Sequence, residues 1–303
     1  MEKLKKVLRV FVVVLIVVFL SYLVGRTYDY FTAGFSLGNI LLDHPDEKKW
    51  DVEPLSPEES KQVDEILNQH FTYLSKGHQA YVFISDDGNY VLKFLKTHVM
   101  RIKPWVGWLP DYFQTYKNKK IAAKEKRLDG VFLGWKIAYE HLRDKTDILF
   151  VKMNKNPPIH KIVHITDKIG RNYAVDLDQT AFLIQKKVDV FSDVFENLIK
   201  THQTDEAKKL LDSMINLYST EYHEGYWEFD PQLMRNTGFD HGKAMHIDTG
   251  RFAALPPNPQ PLSVMLKEKT PKLVAWLQER DPELAAYFID QMNKADGAHV
   301  KTQ

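Results

Sequence analysis

From Val7 to Val24 the chain is apolar at every position except Arg9 and Ser21. A soluble helix of this length keeps one polar face, and this one has none. Sixteen to eighteen helical residues span roughly 25 Å, slightly less than the ~30 Å hydrocarbon core. Arg9 and Arg26 extend the reach by carrying their charged ends out to the interface. Residues 7–25 are therefore expected to form a single-pass anchor, with membrane lipid as its partner. A secretory signal peptide is the rival, because Lys3, Lys5, Lys6 and Arg9 make a basic leader. The segment from Ser21 to Arg26 is a poor cleavage site, however. The excess of basic residues before the span places residues 1–6 in the cytoplasm and the globular part on the non-cytoplasmic side.

The remainder is composed like one ordinary folded unit. Over the whole chain 41 basic and 40 acidic residues balance, so bulk charge gives no reason to expect nucleic-acid binding. The absence of cysteine fits an exported domain without disulfides and a reduced cytoplasm equally well. Residues 26–55 read as an irregular juxtamembrane linker. Ser56-Pro57-Glu58-Glu59 then has the form of a capping box with Pro at the first helical position, opening a helix to about Gln69. Strand-forming residues in 73–96 flank Asp87-Gly88, a strong hairpin signal. Arg101 to Phe113 carries Pro104, Gly107, Pro110 and several large aromatics. These either cover a neighbouring sheet or lie against a bilayer surface, where Trp and Tyr sit well beside basic groups. A helix is expected over 117–142, a strand over 147–153, a hairpin over 161–176 and a strand over 181–188. Leu210, Leu211, Met214, Ile215, Leu217 and Tyr218 recur at helical spacing within Asp205–Tyr222. Two short helices, 262–278 and 282–293, close the chain.

Polar residues are spaced for chemistry between Gly225 and Gly250. Asp230 precedes Asn236, and Asp248 follows a short apolar run before Thr249-Gly250. A hairpin there brings Asn236 and Asp248 together. A hard cation takes carboxylate and amide oxygens and leaves positions open for phosphate, while a free carboxylate alongside accepts a hydroxyl proton. His241 and His246 imitate a metal cluster with Asp248, but zinc more often uses His at helical spacing or beside Cys.

This segment resembles the catalytic and metal-binding loops of the protein-kinase-like superfamily. Gly225 to Asp230 stands where that family approaches its H-R-D tripeptide, Asn236 where it has its metal-binding Asn, and Asp248-Thr249-Gly250 where it has D-F-G. Glu228 and Phe229 replace the His and Arg, five residues rather than four separate Asp230 from Asn236, and Thr249 replaces the Phe. Upstream, Ser75-Lys76-Gly77, the hairpin and Val91-Leu92-Lys93 resemble the glycine loop and lysine strand of the same family.

The resemblance implies an α+β, bilobal, kinase-like domain behind the N-terminal transmembrane helix. It would have an antiparallel N-lobe sheet with insertions (56–187), a short, mainly helical C-lobe (188–295) and a tail (296–303). It also implies ATP and Mg²⁺ as cofactors. Lys93 would hold the nucleotide phosphates, and of two candidate glutamates, Glu125 and Glu140, Glu125 would position Lys93. The Ser75-Lys76-Gly77 backbone would cover the nucleotide, Asp230 would act on the acceptor hydroxyl, and Asn236 and Asp248 would hold the metal. Only 53 residues follow Gly250 and no A-P-E triplet occurs. A small-molecule or lipid-linked acceptor is thus expected rather than a protein. A catalytically inactive binding module on the same fold is the alternative. The predicted topology is at odds with an ATP supply, so either the domain is cytoplasmic, or it meets ATP elsewhere, or it does not use it.

Overall fold

The structure is a computed structural model that describes residues 2–296. The tail expected at 296–303 lies outside the described residues from Gly297 onward. Helix α1 (Glu2–Thr32) includes one stretch, Lys5–Thr32, long and apolar enough by length and composition to cross a membrane, with its apolar part exposed and only Thr32 at its end buried in the protein. The helix runs past the expected end at Gly25 because nothing breaks it before Ala33-Gly34.

Residues 26–55 do not form the irregular linker expected. Their first part is helical, and Ala33, Phe35, Ile40, Leu42 and Trp50 are buried in the globular part. The Phe35 ring packs edge-on against Tyr81, Phe83 and Tyr173. The Lys76 Nζ donates to the Ala33 carbonyl at 2.8 Å, just beyond the helix end whose orphan carbonyls favour a cation. The apolar helix is thus joined to the fold by packed residues.

Helix α2 (Pro57–Leu67) starts with the expected capping box. The Ser56 N–H donates to Glu59 Oε2 at 2.8 Å and the Glu59 N–H donates to Ser56 Oγ at 3.2 Å. Its Val63, Ile66 and Leu67 face the core. There follow β1 (His70–Lys76), β2 (Ala80–Ser85), β3 (Tyr90–Leu95), α3 (Pro104–Gly107), α4 (Gln114–Glu140) and α5 (Arg143–Thr146). The lobe finishes with β4 (Ile148–Lys152), β5 (Ile162–Thr166), β6 (Asn172–Asp176) and β7 (Phe182–Lys186). One seven-stranded sheet joins them in the order β4-β7-β3-β2-β1-β5-β6.

The sheet is mixed rather than wholly antiparallel, since β1 pairs with β5 in parallel. The β5–β6 hairpin, legible in the sequence, satisfies the unpaired backbone groups along the β1 edge. That long-range choice of partner carries no local signal.

The second lobe begins with β8 (Asp189–Val190), α6 (Phe191–Lys200), α7 (Thr204–His223), β9 (Tyr226–Glu228) and α8 (Leu233–Asn236). It continues through β10 (Thr237–Asp240), β11 (Lys243–His246) and β12 (Phe252–Ala254) to α9 (Leu262–Lys269), α10 (Pro271–Arg280) and α11 (Pro282–Lys294). The expected helix over 262–278 is two helices. Pro271 has no N–H to continue the first and begins the second. Buried side chains of α6, α7 and α9–α11 form one core with Trp227, Phe239 and Ala244. Antiparallel pairing sets Thr237 opposite His246 and Asp240 opposite Lys243, and the ladder is continued by the Ile247 N–H donating to the Asn236 carbonyl at 2.6 Å. Asn236 and Asp248 are consequently neighbours across the strand ends.

Candidate functional site

A cavity of about 660 Å³ opens between the lobes, within the size range of small-molecule sites (about 300–1,000 Å³). The turn after β1 contributes Ser75, Lys76 and Gly77, and β3 contributes Lys93. From the other side come Asp230, Asn236 and Asp248. Seven of the eight residues singled out in the sequence therefore line one cavity. Ala80, Val82, Trp135, Leu183, Val190 and Ile247 give the cavity an apolar part, while His78, Gln79, Gln232, Arg235, Thr249 and Arg251 line it with polar groups. A planar apolar body fits the apolar part, and the charged side chains are grouped for an anionic one.

Glu125 is the exception. It is exposed on α4 and does not line the cavity, and among the described residues no ion pair joins it to Lys93. The α4 residue that lines the cavity is Trp135, about 15 Å farther along the helix at 1.5 Å per residue. The helix passes close to the Asp248 segment there because residue 134 is glycine. A Cβ at Gly134 would stand 2.5 Å from the Thr249 carbonyl oxygen.

Gln185 holds the lysine in place of a carboxylate. The Lys93 Nζ donates to Gln185 Oε1 at 2.6 Å and to the Ile247 carbonyl at 2.5 Å. The Gln185 Nε2 in turn donates to the carbonyls of Thr146 and His246, at 2.6 and 2.8 Å. Burial pulls the Lys93 ammonium down from 10.5 to about 8, and the nearby Asp248 carboxylate only partly opposes it. An amide and a carbonyl satisfy the donors without supplying a full counter-charge. Below about 8 the amine is already charged, and an arriving anion would supply the full counter-charge that this setting lacks.

Behind the opposite wall lies a set of buried charges. Lys269, on α9, donates through Nζ to Glu228 Oε2 at 2.6 Å, to the Glu228 carbonyl, and to the Asp230 carbonyl at 2.9 Å. Burial pushes the Glu228 carboxyl up, against the attraction of Lys269. Beneath it, Glu221 Oε2 is 2.7 Å from His246 Nε2, both side chains fully buried, while Glu221 Oε1 accepts from the Glu228 N–H. Glu228, but not the half-exposed Phe229 beside it, is therefore part of the support of this loop. A buried Glu–Lys pair holds the loop backbone there.

Asp230 accepts from the Gln232 N–H at 2.9 Å and pairs with Arg251 Nε at 3.3 Å. Asp248 accepts only from the Gly250 N–H, at 3.1 Å, through Oδ1. Its Oδ2 and the buried Asn236 side-chain amide make no hydrogen bond among the described residues. Two oxygen donors from adjacent strand ends are therefore free, and they suit a hard divalent cation that completes its shell with phosphate and water. His241 is exposed and His246 is committed to Glu221. Among the described residues no cluster of three His, Cys, Asp or Glu side chains could hold a metal. Gln79, in the turn between β1 and β2, lies against the cleft floor. Its Oε1 would fall 1.9 Å from a Cβ on Gly250, so only glycine fits beneath it in this closed arrangement.

No local pattern points to Gln185, Lys269 or Glu221, since each acts through a partner far away in the chain. Arg251 carried a weak signal, directly following Asp248-Thr249-Gly250.

No protein-family model matches the chain, and no curated protein matches its sequence. Solved structures that it is similar to include the bifunctional kinase-methyltransferase WbdD, with a TM-score of 0.35 and 15% identity over 74% of this chain and 44% of that chain. The Rv3197–erythromycin complex from Mycobacterium tuberculosis matches with a TM-score of 0.33 and 14% identity, covering 84% and 68%. The kinase domain of a Toxoplasma gondii rhoptry antigen matches with a TM-score of 0.28 and 14% identity, covering 69% and 58%. The chain spans under half the length of the WbdD structure. The protein is an α+β chain of two lobes in which a lysine on the third strand faces Asp230, Asn236 and Asp248 across the cleft between them.

Proposed function

We propose that the protein is a membrane-anchored phosphotransferase that moves the γ-phosphoryl group of ATP to the hydroxyl of a small-molecule or lipid-linked acceptor. One observation carries the reading. Lys93, Asp230, Asn236 and Asp248, drawn from distant parts of the chain, converge on one cavity with the Ser75-Lys76-Gly77 turn above them.

In this reading the apolar walls take the base, and Lys93 turns its amine from Gln185 and the Ile247 carbonyl toward the phosphates. Asn236 and Asp248 would hold Mg²⁺, which when bound neutralises phosphate charge during transfer. Asp230 orients the acceptor hydroxyl and takes its proton. Arg251 must release Asp230 for this, and its guanidinium is then free to meet the transferring group. Gln79 must lift from Gly250 to admit the nucleotide.

A catalytically inactive binding module is the second reading, favoured by the closed form of this cleft. Lys93 is held by the Ile247 carbonyl, Gln79 covers Gly250, and Arg251 occupies Asp230.

The test is nucleotide-dependent stabilisation of the full chain in lipid nanodiscs, followed by an assay of ADP formation. Ligand that binds only the folded state raises the midpoint, by about 2.7 kcal/mol of stability at a hundredfold excess over Kd. A shift with ATP and Mg²⁺ that Asp248→Ala removes, together with ADP formation that Asp230→Asn removes, supports the enzyme. A shift without turnover selects the binding module. No shift at millimolar nucleotide overturns the phosphotransferase and favours the binding module.

A further inference from the structure

The segment between β3 and α4 does not cover the sheet. Only Val106 of α3 is fully buried, whereas Trp108 is 83% and Tyr112 92% exposed, with Trp105, Phe113 and Ile102 also open to solvent. Isolated exposed apolar residues are ordinary, but a contiguous group of large aromatics marks an interaction surface.

Two observations say what covers it. First, the segment starts where the chain leaves α1. Thr97 Oγ1 donates to the Asn39 carbonyl at 3.0 Å, Arg101 Nη2 donates to the Leu41 carbonyl at 2.8 Å, and Arg101 Nε pairs with Asp43 at 2.6 Å. The aromatic residues are therefore tied to the chain just after the helix that is long and apolar enough to cross a membrane. Second, its flanks are basic. From Arg101 to Arg127 the chain holds eight Lys and Arg residues against only Asp111 and Glu125. Trp and Tyr among cations is the pattern that settles at the headgroup level of an anionic bilayer.

We infer that Ile102–Phe113 is a second membrane contact, in which Trp105, Trp108, Tyr112 and Phe113 enter the interface of an anionic lipid surface while the basic start of α4 lies over its headgroups. The contact holds the first lobe against the bilayer in one orientation. Because α4 continues to Trp135 at the cavity wall, the contact also links membrane attachment to the cleft. The inference rests on α1 lying in a bilayer and not on phosphoryl transfer.

The chain contains no cysteine, so single labels report cleanly. The full chain, with an environment-sensitive fluorophore at Trp108→Cys, is reconstituted into phosphatidylcholine vesicles with and without phosphatidylserine. Labels at Val14→Cys in α1 and at Lys209→Cys on the exposed face of α7 are the lipid and water references. Tyr112→Cys repeats the measurement with Trp108 retained. The labels at 108 and 112 are expected to brighten several-fold over the label at 209, to be quenched by headgroup-level nitroxide lipid, and to respond more strongly with phosphatidylserine. Lys117, Lys119 and Lys120 changed together to Gln should abolish that lipid-charge dependence. If the labels at 108 and 112 behave as that at 209 while Val14 reports lipid, the docking inference fails and the anchor stands. If Val14 also reports water, both fail. Shielding at 108 that persists in detergent without lipid quenching assigns the surface to a second copy or another protein, and overturns the inference.

Discussion

The two walls of the cleft solve the problem of buried charge differently. On the first lobe, Lys93 has an amide and a carbonyl as its hydrogen-bond partners, and burial holds its ammonium near 8. On the second, Glu228 and Lys269 form a buried charged pair that also grips the Asp230 carbonyl. A charge meant to meet an incoming anion is best left without a full counter-ion. A charge meant to hold a loop must have one. The first wall is thus built to respond and the second to persist.

The strongest way to break this comparison is to remove Lys269. Lys269→Met leaves the Glu228 carboxylate buried and unpaired, and loss of one partner of a buried pair costs about 3–5 kcal/mol. Denaturant unfolding in nanodiscs should show this loss, and the double variant with Glu228→Gln should recover most of it. Without Lys269 the folded-state carboxyl titrates higher still, so the deficit should widen as pH rises above the ordinary carboxylate range and narrow below it. An equal deficit at all pH values would refute the pairing argument.

Gly134→Leu probes where the walls meet. Its side chain collides with Thr249 and Gly250, and overpacking of this kind costs about 1–3 kcal/mol. Any nucleotide-induced rise in melting midpoint should also disappear. A variant that keeps the rise would show that α4 does not set the position of Asp248.

Lys93 sharpens the comparison through pH. Below about 8 the amine is charged and above it neutral, so nucleotide affinity should fall by up to about tenfold per pH unit above that point. Lys93→Met should lose about 10- to 100-fold in affinity, as expected for a charge-assisted hydrogen bond, and its profile should be flat across this range. The unfolded chain keeps its lysine near 10.5, so burying the cation costs stability below about 8, a cost that fades as pH climbs toward 10.5. The Met variant should therefore be no less stable at pH 7. Isothermal titration and thermal melts across pH 6.5–9.5 check both statements.

The smallest effect is expected at Glu125. Its substitution by Gln should change stability by no more than about 0.5 kcal/mol and leave nucleotide affinity unaltered. A loss comparable to that of Lys93→Met would restore it to the cleft.

These contrasts mark where sequence reasoning reached and where it stopped. The capping box at Ser56–Glu59, the β2–β3 hairpin about Asp87-Gly88 and the α7 periodicity are encoded within a few residues, and the structure has all three. Asp230, Asn236 and Asp248 were legible because their spacing around one hairpin is itself local. Glu125 misled because a helix brings many carboxylates past a given point, and only packing decides which turn faces the cleft. Here a glycine and a tryptophan face it.

By itself the amino-acid order determined a helix apolar enough to enter a membrane, the α+β succession of elements and the polar residues worth watching. These follow from hydropathy and short-range backbone geometry. Only the tertiary structure decided that β5 pairs in parallel with β1, that Gln185 holds Lys93, that Lys269 supports Asp230 and that Trp108 and Tyr112 face outward. Each depends on contacts between distant segments, whose energies come from burial and desolvation, and neither exists until the chain has closed on itself.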